Sequence, residues 1–144
     1  MNTYTYDEIQ PGMEEHFTAA IGSEEMELFR RITGDENPLH TEQGVVYGML
    51  TAGYLSTLAG MYLPGERSLI QQVKLDFLNR LELPKCPSGG GRRSPEKDSS
   101  RNITVSGVVS SKDDNFHTIS LKFSVTDDTG VKILRGTMRV GMRE

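Results

Sequence analysis

The feature that most constrains the fold is an uncharged stretch at residues 44–63, GVVYGMLTAGYLSTLAGMYL. It is apolar on nearly every side of a helix and ends at Pro64-Gly65, a pair that terminates helices. Small residues such as Gly48, Gly53 and Gly60 let other backbone approach closely, which an ordinary surface helix rarely needs. The stretch therefore predicts a buried central helix that a sheet wraps.

Segments compatible with β-strands lie on both sides of this helix in the sequence. They are residues 13–21, 69–78, 103–111, 118–125 and 131–142. The run Asp127-Asp128-Thr129-Gly130 is typical of a hairpin turn between the last two. A shorter helix is expected at residues 23–33, because Met26, Phe29 and Ile32 recur at helical spacing. The fold class is therefore α+β, with an antiparallel sheet against one long buried helix.

Length and charge limit the classes of function. The 144 residues fit a single domain, residues 1–144. There are 20 Asp and Glu residues against 16 Lys and Arg residues, so no overall positive field favours nucleic acid or an anionic membrane surface. The single cysteine, Cys86, cannot form an intramolecular disulfide, and the N-terminal residues lack a signal-peptide pattern. We expect a soluble, cytoplasmic protein.

Residues 79–102 interrupt the order of strands. The segment is rich in Pro, Gly, Ser and charge, and almost nothing apolar follows Leu83. Such a composition cannot bury enough apolar surface to fold, so we expect an atypical flexible loop or insert. The Arg92-Arg93 pair could contact phosphate, but a charged, Gly-rich loop is usually only solvated, and we favour that interpretation.

The turn at residues 33–40, TGDENPLH, carries the side chains best suited to chemistry. Asp35 offers a carboxylate, and His40 can hold or release a proton near neutral pH. Pro38 forces the chain out of the preceding helix, so one turn can aim both side chains into one pocket. Turn formation alone also explains Asp35 and Asn37, and the spacing by itself favours that structural role over catalysis.

The wider context of this turn resembles a known family. FRRITGDENPLH, followed by VVYGML, LPG and LDF, resembles the MaoC-like dehydratases and R-specific enoyl-CoA hydratases. The similarity covers about residues 6–77 and resumes from about residue 103 to the C-terminus. It implies a hotdog fold, in which the antiparallel sheet wraps the long central helix. It also implies a homodimer or a dimer of dimers, usually with thioester sites at the subunit interface.

The resemblance implies roles for individual residues. Asp35 and His40 match the catalytic pair that activates water for addition to a trans-2-enoyl thioester. Gly48 matches a glycine whose backbone N–H binds the thioester oxygen, which suits the start of a helix. From the sequence alone, a role of Gly48 in helix packing is about as well supported. Further candidates for the substrate pocket are Asn37, Tyr47, Met49 and Ser56.

Two departures from the family pattern bear on activity. Only residues 41–43 separate His40 from Gly44, whereas relatives have a longer segment there that covers the acyl pocket. A shortened cover could leave the pocket more open to water, alter the preferred chain length, or strain the placement of His40 relative to Gly48. Tyr47 stands where many relatives have His. The second departure is residues 80–101, which replace a compact turn and are either a functional loop or a sequence error.

The resemblance predicts a lyase that interconverts trans-2-enoyl and R-3-hydroxyacyl thioesters in fatty acid metabolism. Coenzyme A would enter as part of the substrate, with acyl carrier protein as the alternative carrier, and no metal or redox cofactor is expected. Two other functions stay open. One is a hotdog acyl thioesterase, against which the GD-x-NP-x-H pattern argues. The other is a non-catalytic acyl-thioester-binding subunit, which the shortened cover favours.

Overall fold

The computed structural model describes residues 1–84 and 100–144. Its strands are β1 (Glu14–Ile21), β2 (Ser68–Phe77), β3 (Arg101–Asp113), β4 (Thr118–Asp127) and β5 (Lys132–Met142). All neighbours are antiparallel, in the order β1-β3-β4-β5-β2. The α+β class predicted from the sequence is confirmed. Cys86 and the Arg92-Arg93 pair lie outside the described residues.

One helical element precedes β1, and the others lie between β1 and β2. They are a short 3-10 turn (Tyr6–Glu8), α1 (Ser23–Thr33), α2 (Pro38–Thr41) and α3 (Gly48–Thr57), which continues as a π-helical turn (Leu58–Tyr62). α1 ends at Gly34, which has a φ of 74° and donates its N–H to the Arg30 carbonyl at 2.7 Å. This left-handed position favours glycine and fixes where the chain leaves the helix.

The central helix begins at Gly48, later than the predicted range of 44–63. Gly44 has a φ of 68°, which breaks a right-handed helix. Val45 then pairs with Glu82 in an isolated antiparallel bridge. This bridge holds the segment before the helix in an extended conformation, so the backbone groups of that segment cannot join the first helical turn. The predicted start of the helix is therefore wrong.

The central helix is buried on one side only. Its buried residues are Thr51, Leu55, Leu58 and Ala59. Leu58 is fully buried against β3, where a Cβ at Gly107 would lie 2.8 Å from its Cδ2 atom. The opposite face exposes Met49, Gly53, Ser56 and Met61, so the prediction of burial on nearly every side is wrong for the single chain. Within the described ranges, no helix is long and apolar enough to cross a membrane.

The hairpin between β4 and β5 is confirmed where the sequence predicts it. Asp127 Oδ1 accepts hydrogen bonds from the N–H groups of Thr129 and Val131 at 2.8 and 3.0 Å. Gly130 follows with a φ of 85°. These are local interactions of a short acidic side chain and a glycine, which explains why four letters of sequence predict the turn.

The ends of the predicted loop at residues 79–102 belong to the folded structure. Leu81 and Leu83 are buried in the core, at 2% and 5% exposure. Arg101 already begins β3 and donates to the Glu82 carbonyl at 3.1 Å. The predicted loop was too wide, because two isolated leucines among polar residues gave too weak a signal of burial. The remainder of the segment lies outside the described residues.

Candidate active site

Short-range hydrogen bonds hold the turn between α1 and α2. Asp35 Oδ1 accepts from the Asn37 N–H at 3.0 Å, and Asn37 Oδ1 accepts from the Leu39 N–H at 3.0 Å. Asn37 thereby caps α2, and Pro38 occupies the first position of this helix. A backbone N–H at that position has no acceptor within the helix, so the lack of one in proline costs no hydrogen bond. The turn is thus specified by its own residues, and it sets the positions of Asp35 and His40.

The imidazole of His40 is oriented by the backbone. Its Nδ1 lies 2.7 Å from the Val45 carbonyl oxygen. Because a carbonyl oxygen only accepts, we assign the proton of the neutral ring to Nδ1. Nε2 then carries the lone pair and is the nitrogen available to take a proton from water.

The N-terminus of α3 supplies unpaired donors beside this histidine. The N–H groups of Gly48 and Met49 lie in the first helical turn and have no acceptor within their own helix. Among the described residues no other backbone carbonyl accepts from them. Together with the helix dipole, these donors favour a negative charge at this position. The ring of Phe77 packs against Gly48, and its Cε1 atom lies 3.0 Å from where a Cβ of Gly48 would be.

These elements enclose one cavity of about 590 Å³. It is lined by Phe29, Thr33, Asp35, His40, Tyr47, Gly48, Met49 and Phe77. Two predicted pocket residues are not in this lining. Asn37 caps α2 instead, and Ser56 lies on the exposed side of α3. Phe29 and Phe77 line the cavity without having been predicted, although both stand in motifs quoted above, FRRITGDENPLH and LDF.

Comparison with known proteins identifies relatives that this chain resembles. No family model matches the chain. Over 82 residues it is 28% identical to a 3-hydroxybutyryl-CoA dehydratase from Methylorubrum extorquens, covering 50% of this chain and 52% of that protein. It is 26% identical over 82 residues to an (R)-specific enoyl-CoA hydratase from Rhodospirillum rubrum, covering 50% and 57%. The chain thus matches only about half the length of these curated relatives.

The fold gives a fuller match than the sequence. An (R)-hydratase from A. caviae involved in PHA biosynthesis has a TM-score of 0.78 at 20% identity, over 94% of this chain and 98% of that one. The chain therefore has the hotdog fold of this hydratase. The predicted hotdog architecture is confirmed, since the five-stranded sheet packs against a 15-residue central helix.

Tyr47 connects the parts of the site. Its side chain is 3% exposed, and its hydroxyl donates to the Asp35 carbonyl oxygen at 2.7 Å. Its ring lies 4.1 Å from the His40 ring and 4.7 Å from the Phe29 ring, centroid to centroid. Burial, and next the charge of Asp35, raise the pKa of the Tyr47 phenol. The hydroxyl therefore remains a protonated donor at neutral pH.

A smaller cavity of about 280 Å³ adjoins the first. The two share His40, Gly48 and Phe77 in their linings. The apolar residues of the second lining are Leu39, Val45, Val46, Leu78, Leu81 and Ile133. The chain therefore places a largely apolar recess, with Thr51, Asn79 and Arg80 also in its lining, directly beside the candidate acid–base pair.

Proposed function

We propose that this MaoC-like protein adds water reversibly to a trans-2-enoyl thioester and forms the R-3-hydroxyacyl thioester. One observation carries the proposal: Asp35, His40 and the start of α3 at Gly48 line the same cavity. An acid–base pair beside unpaired N–H donors is the combination that hydration of an activated double bond requires.

The reaction balances with one water molecule and the Asp35–His40 pair. The water oxygen bonds to the β carbon of the substrate, and the pair takes a proton from that water. The electrons of the double bond move toward the thioester carbonyl and form an enolate, which then takes a proton at the α carbon from the pair. Nε2 of His40 is suited to accept the first proton, since Nδ1 is held by Val45. No electrons are transferred, so the step itself requires no redox group.

The enolate oxygen is the charge that the start of α3 would stabilise. The N–H groups of Gly48 and Met49 are unpaired among the described residues. Donors that are already oriented before the charge develops stabilise it without reorganisation. The absence of a side chain at Gly48 also lets a substrate carbonyl approach the backbone closely. These features support Gly48 as the thioester-binding residue.

Coenzyme A is the carrier that we propose, with acyl carrier protein as the alternative. Both curated relatives are named for coenzyme A thioesters. The adjoining recess of about 280 Å³ is lined mostly by apolar side chains, with Thr51, Asn79 and Arg80 also in its lining, and has room for a short acyl chain. A short-chain enoyl-CoA is therefore the first substrate to test.

We also propose that the chain functions as a homodimer. β2 is an edge strand that pairs only with β5 within the described sheet. On one of its faces Ile70, Val73 and Phe77 are 37%, 41% and 50% exposed. Met49 and Met61 of the central helical segment are also exposed, at 63% and 44%. An unpaired edge with exposed apolar side chains indicates an interaction surface, and a second copy pairing with β2 would cover it.

The test is the loss of enoyl absorbance when purified protein is added to short- and medium-chain trans-2-enoyl-CoA. We expect turnover by the wild type and a fall in kcat/KM on the order of 10²-fold or more in Asp35→Asn and His40→Ala. His16→Ala is the matched control, because His16 is exposed on β1, outside the cavity lining.

Four outcomes would contradict the hydratase proposal. No absorbance loss at any chain length refutes it, and so does equal loss in the wild type and both site variants. Release of free thiol from saturated acyl-CoA would instead identify a thioesterase. Binding of enoyl-CoA without turnover would identify a non-catalytic subunit, an alternative consistent with the exposure of Asp35.

A further inference from the structure

We propose that Tyr47 is a positioning residue that fixes the relative orientation of Asp35 and His40. The inference rests on the proposed hydratase function, in which these two side chains act as a pair. Tyr47 is the side chain that contacts both of them, by a hydrogen bond to one and by ring stacking on the other.

The contact with Asp35 is made through the backbone. The Tyr47 hydroxyl donates to the Asp35 carbonyl oxygen at 2.7 Å, while the Asp35 carboxylate bonds the Asn37 N–H at 3.0 Å. The first bond fixes the peptide plane after Asp35, and the second fixes its side chain. A donor on a buried ring keeps its place, because the ring cannot rotate into solvent. Tyr47 therefore fixes the backbone position from which the Asp35 side chain extends.

The contact with His40 is made through the ring. One edge of the imidazole is held by the Val45 carbonyl at 2.7 Å, and one face is covered by Tyr47 at 4.1 Å with an interplanar angle of 28°. Phe29 supports Tyr47 at 4.7 Å. With one edge and one face held, the direction of Nε2 is set by two residues of the segment that leads into α3.

The connection after His40 is short, so the residues that orient the histidine follow it closely in the chain. Only three residues, 41–43, separate His40 from Gly44. Val45 and Tyr47 orient the histidine, and Gly48 follows directly with the N–H proposed to bind the thioester oxygen. The acid–base pair and the anion site are thus fixed to one another through five consecutive residues, 44–48. In this chain Tyr47 supplies that restraint.

Tyr47→Phe separates positioning from packing, because it keeps the buried ring and removes only the hydroxyl. The matched control is Tyr6→Phe. Tyr6 also donates its hydroxyl to an aspartate, Asp114, at 2.6 Å and stacks on a histidine, His117, at 4.6 Å, but it lies outside the cavity lining. Both variants lose one hydrogen bond and retain one stacked ring, so any difference between them reports on the site.

Two measurements are made on the full chain: steady-state kinetics with a short-chain trans-2-enoyl-CoA, and the NMR signals of the His40 ring without substrate. We expect Tyr47→Phe to lower kcat about three- to tenfold with KM changed less than about twofold, the effect of losing one positioning hydrogen bond. The His40 ring signals should shift in Tyr47→Phe and stay in place in Tyr6→Phe. Thermal unfolding should change by no more than about 4 °C in either variant.

The outcomes distinguish this inference from the proposed function. If the wild type turns over substrate, the inference requires both the fall in kcat and the shift of the His40 signals in Tyr47→Phe, and the absence of either overturns it. If the wild type shows no turnover, the proposed function fails, and the His40 signals alone decide. A shift confined to Tyr47→Phe then supports positioning of the histidine by Tyr47, and unchanged signals overturn it.

Discussion

Replacing Gly48 with alanine separates the two roles that a glycine at the start of α3 can have, helix packing and thioester binding. The added Cβ would lie 3.0 Å from Cε1 and 3.3 Å from Cδ1 of Phe77. Ordinary contact requires the ring to move by a few tenths of an ångström. Phe77 is 50% exposed on an edge strand, so the ring has room to move. We therefore expect the variant to fold.

The expected change in stability is much smaller than the expected change in rate. Overpacking at Gly48 costs about 1 kcal/mol, and alanine is favoured over glycine in a helix by about 1 kcal/mol. The net change in the free energy of unfolding is therefore within about 1 kcal/mol, or roughly 2–4 °C in Tm for a chain of this size. The methyl group would also stand beside the N–H groups at the start of α3. Alanine keeps the backbone N–H, but its methyl group would hinder a thioester oxygen from reaching it. Blocking such a donor should lower kcat by on the order of 10²- to 10³-fold.

The assay pairs steady-state kinetics on enoyl-CoA with thermal unfolding. Gly53→Ala is the control on the same helix, because a Cβ there meets no atom within 4 Å. It should raise stability by up to about 1 kcal/mol and leave the rate unchanged. Wild-type kcat/KM in Gly48→Ala would refute the thioester-binding role. A loss of more than about 3 kcal/mol of stability would show that Gly48 serves packing instead.

Three further predictions concern the core, the proposed dimer and alkaline stability. Leu58→Ala should lower the free energy of unfolding in urea by about 2–5 kcal/mol, since Leu58 is fully buried. Leu28→Ala, at a position that is 49% exposed, should change it by no more than about 0.5 kcal/mol. Equal effects would contradict the core assignment. Val73→Glu should convert a dimer to a monomer in sedimentation velocity, while Gln72→Glu on the opposite face of β2 should not; a dimer in both would place the interface elsewhere. Partial burial and a carboxylate hydrogen bond raise the pKa of Tyr6 from 10.0 to about 12, so its contribution to stability is present below pH 10 and is lost as the pH rises through about 12. Unfolding of Tyr6→Phe measured from about pH 9 to 12 should show a smaller decline than the wild type, and an identical decline would contradict the assignment.

The elements predicted well from the sequence are those that local chemistry determines. α1 ends at Gly34 because a positive φ favours glycine, and the hairpin at Asp127 is closed by that residue's own carboxylate. The order of hydrophobic segments was enough for the α+β class, and the motif around Asp35 carried the resemblance that predicted the hotdog fold. In each case the determining residues lie within a few positions of one another.

The features that were mispredicted depend on tertiary contacts. Gly44 and Val45 read as part of a helix, but a bridge to Glu82, distant in the sequence, holds them extended. Helical periodicity also cannot show whether an apolar face is covered by the same chain or by a second copy, so the exposure of Met49 was not predictable. The packing of Phe77 against Gly48 has the same origin, since it requires two distant segments to meet.

Asp35 shows why the structural and catalytic interpretations of one residue need not compete. From the sequence, turn formation by Asp35 counted against a catalytic role. In the structure the turn uses Oδ1, which bonds the Asn37 N–H, and the carbonyl oxygen, which accepts from Tyr47. Within residues 1–84 and 100–144, no hydrogen bond engages Oδ2, and Asp35 lines the cavity. The bonds that form the turn therefore hold the carboxylate in place and leave one of its oxygens available, so the turn is the means by which Asp35 can be presented to water beside His40.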